Sequence, residues 1–402
     1  MAEPTLSDAR ESVADDVAKQ RAVGIFRRKQ LTEAERREAY FTATQWRLIG
    51  LKFRSHRWAM WGLGVIAVFY FVAIFNGFFA MNDPVERNTD IQLQPWVFSG
   101  KDVSFSLFDE ERNFRPVVYQ VTSKLDFELF KRVYVRVEGS ERPLRLFVRG
   151  YPYKLLFFID ADLHLLGTGD PDVRWYPLGT DQSGRCLFSR MVHGSILSLS
   201  IGIMSIIITW VLGILIGSIA GYFGGVVDNV INRFIEVLMS VPSLPLWIAL
   251  AAALPLEWSI VQVYFAITVV LSILGWTGLA RTVRSKFLAL REEEYVLAAK
   301  LDGAPLGRQL FRHMLPAFAS HLIVNASNLI PSMILGETAL SFLGVGLRPP
   351  AVSWGVLLQG AQNVESVALH PWLLLPALLV IFSVVAFQFM GDGLRDAVDP
   401  YR

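Results

Sequence analysis

The 402-residue sequence has little charge and almost no cysteine. Charged residues make up 18% of the chain, against about 25% in a typical soluble domain, which argues against an ordinary pair of water-soluble domains. A single cysteine, Cys186, excludes an internal disulfide framework and any cysteine-based zinc or iron–sulfur site. The 38 Lys and Arg nearly balance the 36 Asp and Glu, so no overall field recruits nucleic acid and only the placement of charge is informative. No G-x-x-x-x-G-K-[S/T] string exists to cradle nucleotide phosphates, and the cluster Gly221-Tyr222-Phe223-Gly224-Gly225 lacks the lysine that such a loop needs. His56, His164, His193, His313, His321 and His370 are scattered without ligand spacing. With no nucleophile, acid/base pair or metal cluster in view, the chain is expected to be neither an enzyme nor the holder of a cofactor.

Apolar residues, by contrast, form 53% of the chain at a mean hydropathy of +0.40, and they are gathered in blocks. Six stretches reach the roughly 20 apolar residues needed to cross a bilayer: 58–81, 193–228 with a glycine-rich turn at its end, 237–256, 258–280, 316–347 and 371–390. His321 and Glu337 interrupt the fifth. All are apolar on every side, whereas a soluble helix carries a stripe of period 3.6. The first follows a charged segment, 1–57, far longer than the basic head of a signal peptide, and so is expected to be retained as an anchor at 58–81.

Basic residues in short loops stay in the cytoplasm. Arg47, Lys52, Arg54 and Arg57 crowd the start of the first stretch, Arg233 follows the second, and Arg281, Arg284, Lys286, Arg291, Lys300, Arg308 and Arg312 follow the fourth. Alternate connections hold Glu257 and, between Gly344 and His370, Arg348 as the sole basic residue. Both termini are thereby expected in the cytoplasm, with Arg395 and Arg402 on that side. Long translocated domains escape the charge rule, so the mixed-sign connection 82–192 is expected outside. Within it, 117–121, 133–137 and 155–159 are rich in β-branched and aromatic residues, are separated by turn formers such as Gly139-Ser140 and Arg149-Gly150, and read as strands. The alternation of Val133, Val135 and Val137 with Tyr134, Arg136 and Glu138 predicts one buried and one wet face. Such a domain is either a passive cap or a docking surface for a soluble partner.

The most informative connection is 291–316, REEEYVLAAKLDGAPLGRQLFRHMLP. Glu292, Glu293 and Glu294 put negative charge on a first helical turn, where the macrodipole favours it. Gly303 permits a sharp change of direction, and a second short helix from about Pro305 leads to Leu315-Pro316, where a proline suits the start of the fifth span. The expected product is a helix-turn-helix lying across the membrane surface, with Ala298 and Ala299 exposing backbone for close packing.

Ala298-Ala299, Gly303 and Leu315-Pro316 resemble in spacing the "EAA" signature of permease subunits of binding-protein-dependent ABC importers. Leu297 and His313 depart from the general pattern. The Tyr295-Val296 pair and the ending Arg312-His313-Met314-Leu315-Pro316 are similar to the peptide-transporter branch. Leu178-Gly179-Thr180-Asp181, Gly184-Arg185 and Ser189-Arg190 look like the segment before the second span in the second, C-type permease of dipeptide, oligopeptide and nickel importers, with Cys186 in place of the usual Asp and Ser195 in place of a frequent Arg. Further matches are Gly224-Gly225 with Asp228, Arg233 and Pro242, Glu337 with Leu340-Ser341-Phe342-Leu343-Gly344, and Gly391-Asp392-Gly393-Leu394-Arg395-Asp396 with Asp399-Pro400. The resemblance covers 177–402 strongly and 46–81 weakly, and it leaves 83–174 outside.

It implies an all-α integral membrane protein of the bacterial inner membrane, with six transmembrane helices of the type I ABC importer permease fold in 58–81 and 193–402, plus an inserted extracellular, β-containing domain. It implies that Tyr295, Ala298, Ala299, Gly303, Arg312, His313, Leu315 and Pro316 couple the spans to the motor. The implied partners are a homologous permease subunit, two ATP-binding subunits that hold the ATP and Mg, and a periplasmic solute-binding protein. The cargo stays open among peptides, nickel chelates, peptide antibiotics and oligosaccharides. Asn325, Asn328, Glu337 and Gln388 are candidates for the translocation path, although polar residues in spans more often bond between helices. Arg233 and Glu236, three apart, suggest a local pair, and Arg281 and Arg284 suggest headgroup contacts. The chief rival, a secondary transporter or channel without an ATPase, predicts inverted repeats, and none is evident. A non-transporting receptor would need a cytoplasmic output domain, which the loops do not supply.

Overall fold

The computed structural model describes residues 45–97, 104–108, 113–126, 131–156 and 158–398. The tail residues Arg27-Arg28-Lys29 and the terminal Asp399, Pro400 and Arg402 lie outside the described residues. Two units make up the chain, 1–52 and 53–402, and helix α1 (Gln45–Ser55) begins in the first.

Within the second unit, α2 (Arg57–Ile74) opens with the His56 ring nitrogen accepting the Ala59 N–H at 3.2 Å, and a short α3 (Asn76–Phe79) follows. After the inserted strands come α4 (Leu187–Phe223), α5 (Gly225–Ser240), α6 (Ser243–Ala252), α7 (Ile260–Leu290), α8 (Glu294–Leu301), α9 (Leu306–Arg308), a π-helical turn (Gln309–Met314), α10 (Leu315–Phe342), α11 (Trp354–Leu358), α12 (Val364–Leu369) and α13 (Leu375–Val398). Among the described residues, five helical stretches are long and apolar enough to cross a membrane, and α5 with α6, bent by 83°, makes six if the pair is taken as one broken span.

The expected span 237–256 is thus broken into two helices, and the first of them begins earlier in the chain than the expected start. Proline disfavours helical backbone in the residue before it; Val241 is extended, α5 stops at Ser240, and Pro242 starts α6 afresh. Pro316 stands in the first turn of the fifth span as its sequence position suggests, and the preceding short helix runs into that span without a break. The π turn carries the helix from Leu306 into Phe342, with Leu315 N–H reaching back five residues to Leu310 O, and the proline sits in the first turn of α10 without needing to donate.

Spans α4 and α7 run side by side on a stripe of small residues. A side chain at Gly217 would lie 2.5 Å from Ala280 O, one at Gly221 2.7 Å from Arg284 O, and one at Gly213 2.9 Å from the Leu279 side chain. Their spacing of four puts the three glycines on one face, which lets the backbones approach. Gly62 and Gly393 do the same for α2 and α13, against Ala386 O and Ala59. The outer faces of α4, including Ile207, Val211 and Leu215, stay exposed and apolar, as a lipid or subunit contact requires.

The insertion contains β1 (Phe105–Phe108), β2 (Phe114–Val118), β3 (Val121–Asp126), β4 (Lys131–Arg136), β5 (Arg142–Pro143), β6 (Arg145–Leu155) and β7 (Ile159–Gly167). They pair antiparallel as β1-β2-β5, β3-β4 and β6-β7. Three expectations fail here. Residues 155–159 form the turn of the β6-β7 hairpin rather than a strand, with Leu156 at φ 52°, and Arg149-Gly150 lies inside β6. The stretch 117–121 is divided between β2 and β3. In β4 the alternation separates two unlike sides: Val133 and Val135 are exposed, while Tyr134 turns inward and donates its hydroxyl to Gln92 O at 2.5 Å. One aromatic ring with a satisfied hydroxyl buries more surface than the small valines would.

The segment before the strands belongs to the helical core. Leu93 N–H bonds Asp181 O, Gln94 N–H bonds the Thr180 hydroxyl, and Leu93 and Trp96 pack with Leu187 and Trp372. Val97 N–H donates to Pro177 O at 3.1 Å, so the inserted sheets enter and leave at adjacent points.

Candidate functional site

One end of the bundle gathers the ends of α4, α7 and α10 around α8 and α9. Val296, Leu310 and Met314 are buried with Leu279, Val283, Phe287, Phe318 and Leu322, which ties the hairpin 294–314 to α7 and α10. Gln309 bridges the same parts: its Oε1 accepts from the Tyr222 hydroxyl at 2.8 Å, and its Nε2 donates to Ala304 O at 2.7 Å. The turn itself is a Schellman motif, with Ala304 N–H to Ala299 O, Gly303 N–H to Lys300 O, and Gly303 at φ 73°. Of the three glutamates only Glu294 lies in the first turn; Glu293 precedes it as cap, and Glu292 pairs with Arg291 at 3.0 Å.

Anchored on one face, the hairpin shows another to the surroundings. Tyr295, Ala298, Leu301 and Leu306 are exposed, Leu301 to 88%. Ala299 is buried and its carbonyl is taken by the turn, so the two alanines do not expose backbone together. Arg312 and Pro316 are exposed, and His313 and Leu315 are half-buried. Beside the hairpin, Asp228 receives the Arg284 guanidinium on both oxygens and an Asn232 amide at 2.5 Å, which locks α5 to α7. Arg284 is therefore a structural clamp rather than a headgroup contact. Arg233 and Glu236 pair at 3.2 Å, in line with their spacing.

The four polar path candidates do not converge. Glu337 is 0% exposed; its Oε1 accepts the Ser341 hydroxyl at 2.8 Å and the Ser353 hydroxyl at 2.7 Å. Ser353 in turn caps α11 through Val356 N–H. This carboxylate ties α10 to the α11 loop and faces the interior of the chain. Asn328 and Gln388 are exposed, and Asn325 is half-buried with its Oδ1 buried and unbonded.

Residues 213–401 match the family model of the inner membrane component of binding-protein-dependent transport systems, and residues 44–95 match the N-terminal transmembrane domain of oligopeptide transport permease C. A peptide permease protein of Brucella suis is 37% identical over 64% of this chain and 83% of its own length. The oligopeptide transport system permease protein OppC of Bacillus subtilis is 35% identical over 59% of this chain and 75% of its own. The dipeptide transport system permease protein DppC of the same organism is 38% identical over 56% and 68%. The chain belongs to the binding-protein-dependent transport permeases, in the C-type peptide branch. It is thus a membrane-spanning permease subunit of the ABC importer class, which decides against an autonomous transporter or channel.

Both family models leave 96–212 unmatched, a stretch that contains every strand of the insertion. Within this permease, sequence reasoning passed over Gln309, the Asp228–Arg284 clamp and the glycine face of α4. The last had a legible signal, Gly213-x-x-x-Gly217-x-x-x-Gly221 in an apolar run. Gln309 had none, because its two partners lie on separate elements.

Proposed function

We propose that this permease subunit passes peptides across the bacterial inner membrane. It pairs with a homologous permease subunit and is driven by two ATP-binding subunits that hold the ATP and Mg. A periplasmic solute-binding protein delivers cargo. The peptide class rests on the names of the relatives. The hairpin end, with Arg233, Arg284, Arg291, Lys300, Arg308 and Arg312, faces the cytoplasm with both termini, and the inserted sheets face the periplasm.

The observation that carries the mechanism is the division of the hairpin into a clamped face and a free apolar face. Tyr295, Ala298, Leu301 and Leu306 enter a groove on the ATP-binding subunit, with Arg312 and His313 beside them. Gly303 sets the turn between α8 and α9. When ATP draws the motor subunits together, the hairpin moves. Because α9 is continuous with α10 through the π turn that ends before Leu315 and Pro316, and Val296 packs on α7, the displacement reaches both spans without a flexible joint. Asn325, Asn328 and Gln388, on α10 and α13, contribute to the translocation path, while Glu337 positions the α11 loop.

Leu301→Asp tests the reading. Placing a charge at the most exposed apolar position of the hairpin should leave membrane insertion intact and abolish co-purification of the ATP-binding subunits. Undiminished co-purification would place the motor elsewhere on the chain.

A further inference from the structure

At the end of the bundle opposite the hairpin, a cleft of ≈ 220 Å³ opens between the segment before α4 and the α11 loop. Asp181, Arg185 and Arg190 line it together with Leu187, Leu357 and Leu373. Asp181 is fully engaged: one oxygen accepts Ser183 N–H at 2.8 Å and Arg185 N–H at 3.0 Å, and the other receives Arg185 Nε at 2.7 Å. Arg190 comes no nearer than 3.6 Å to that carboxylate, beyond hydrogen-bond reach.

The Arg190 side chain is only 3% exposed, yet its one side-chain hydrogen bond goes from Nη1 to Pro84 O at 3.2 Å, and its buried Nε has no hydrogen-bond partner, only the long ion pair with Asp181. Two guanidiniums thus share a single carboxylate, and among the described residues no other acid lines the cleft. The amino end of the 37-residue α4 adds positive potential at the same place. A buried cation left short of partners is costly, so the site is built for a carboxylate that arrives from outside.

The volume lies below that of a typical small-molecule site, about 300–1,000 Å³, so the cleft takes the end of a ligand rather than the whole. Beside the cationic corner, the leucine wall suits one apolar side chain. We infer that this cleft is a receptor for the C-terminal carboxylate and last side chain of a peptide, with Arg185 and Arg190 as the recognising pair. The inference rests on the peptide reading above and adds a subsite on the entry side of the permease.

The test uses the full chain in lipid nanodiscs, with trialanine, N-acetyl-trialanine and trialanine amide as probes in ligand-observed NMR. Both free acids should bind, and the amide should bind at least about tenfold more weakly, since a charge-assisted contact is lost. Arg185→Gln should erase that preference and Arg185→Lys should keep most of it, with thermal unfolding confirming that both variants fold. Equal binding of acid and amide, an unchanged preference in Arg185→Gln, or no binding of trialanine would each overturn the site. Arg185-dependent capture of the solute-binding protein with no peptide bound would assign the missing carboxylate to that protein and overturn it as well. Acid-selective binding without peptide uptake by the assembled transporter would keep the site and contradict the peptide-transport reading instead.

Discussion

Glu337 holds two hydroxyls, from Ser341 within α10 and Ser353 sixteen residues on, in a place closed to solvent. Removing the acceptor strands both donors, and each buried unsatisfied group costs about 1–3 kcal/mol. Glu337→Ala should therefore lower the unfolding temperature of the purified chain clearly, and Ser353→Ala should lower it less. A path residue would instead change uptake with stability intact. Cys186 behaves as another interior group: it is 1% exposed, and burial pushes its thiol above the usual range, so little thiolate forms. An impermeant maleimide should leave Cys186 unlabelled in native membranes and label it after denaturation. Val364, 83% exposed at the end that carries the insertion, is the better reporter of sidedness. Val364→Cys should be labelled in intact spheroplasts, and labelling only after the opposite face is opened would reverse the orientation. At this scale the sequence showed which residues were polar within apolar runs. Whether they faced a path or a partner depended on Ser353 or Tyr222, contacts distant in sequence that no spacing rule reaches.

Among the helices, the α4–α7 contact depends on backbone proximity. Gly217→Val should break it, because the added atoms meet Ala280 O and Cα rather than a side chain that can move. Gly278→Ala on the same α7, where an added Cβ meets nothing within 4 Å, should be neutral or gain up to about 1 kcal/mol. Yield and thermal stability of the two variants in detergent should separate accordingly, and equal behaviour would contradict the packing. Apolar length was legible for the five long helices and for the bent pair because desolvation of the helix is a local requirement. Pro242 was legible as a possible helix breaker, but the size of the bend was not: hydropathy averages across a proline, whereas the backbone before it cannot. The inserted strands were read least well, since 155–159 is the turn of a hairpin and 117–121 is split between two strands whose partners lie elsewhere in the chain.

For the whole molecule, the insertion and the permease core meet at neighbouring points, with Val97 bonded to Pro177. Replacing 98–174 by a short Gly/Ser linker should thus leave the six spans and motor association intact while weakening uptake, if the sheets receive the solute-binding protein. Unchanged uptake at low cargo concentration would make the sheets dispensable. The central claim, that the hairpin 294–314 transmits the motor's movement, is tested most directly at Gly303, which sits at φ 73° with open space around it. There a side chain acts by backbone strain alone, about 1–3 kcal/mol, and most for a β-branched residue. ATP-driven uptake of trialanine by the reconstituted transporter should be lost in Gly303→Val and reduced in Gly303→Ala, with both variants inserted normally. Wild-type uptake and peptide-stimulated ATP hydrolysis in Gly303→Val would contradict the account.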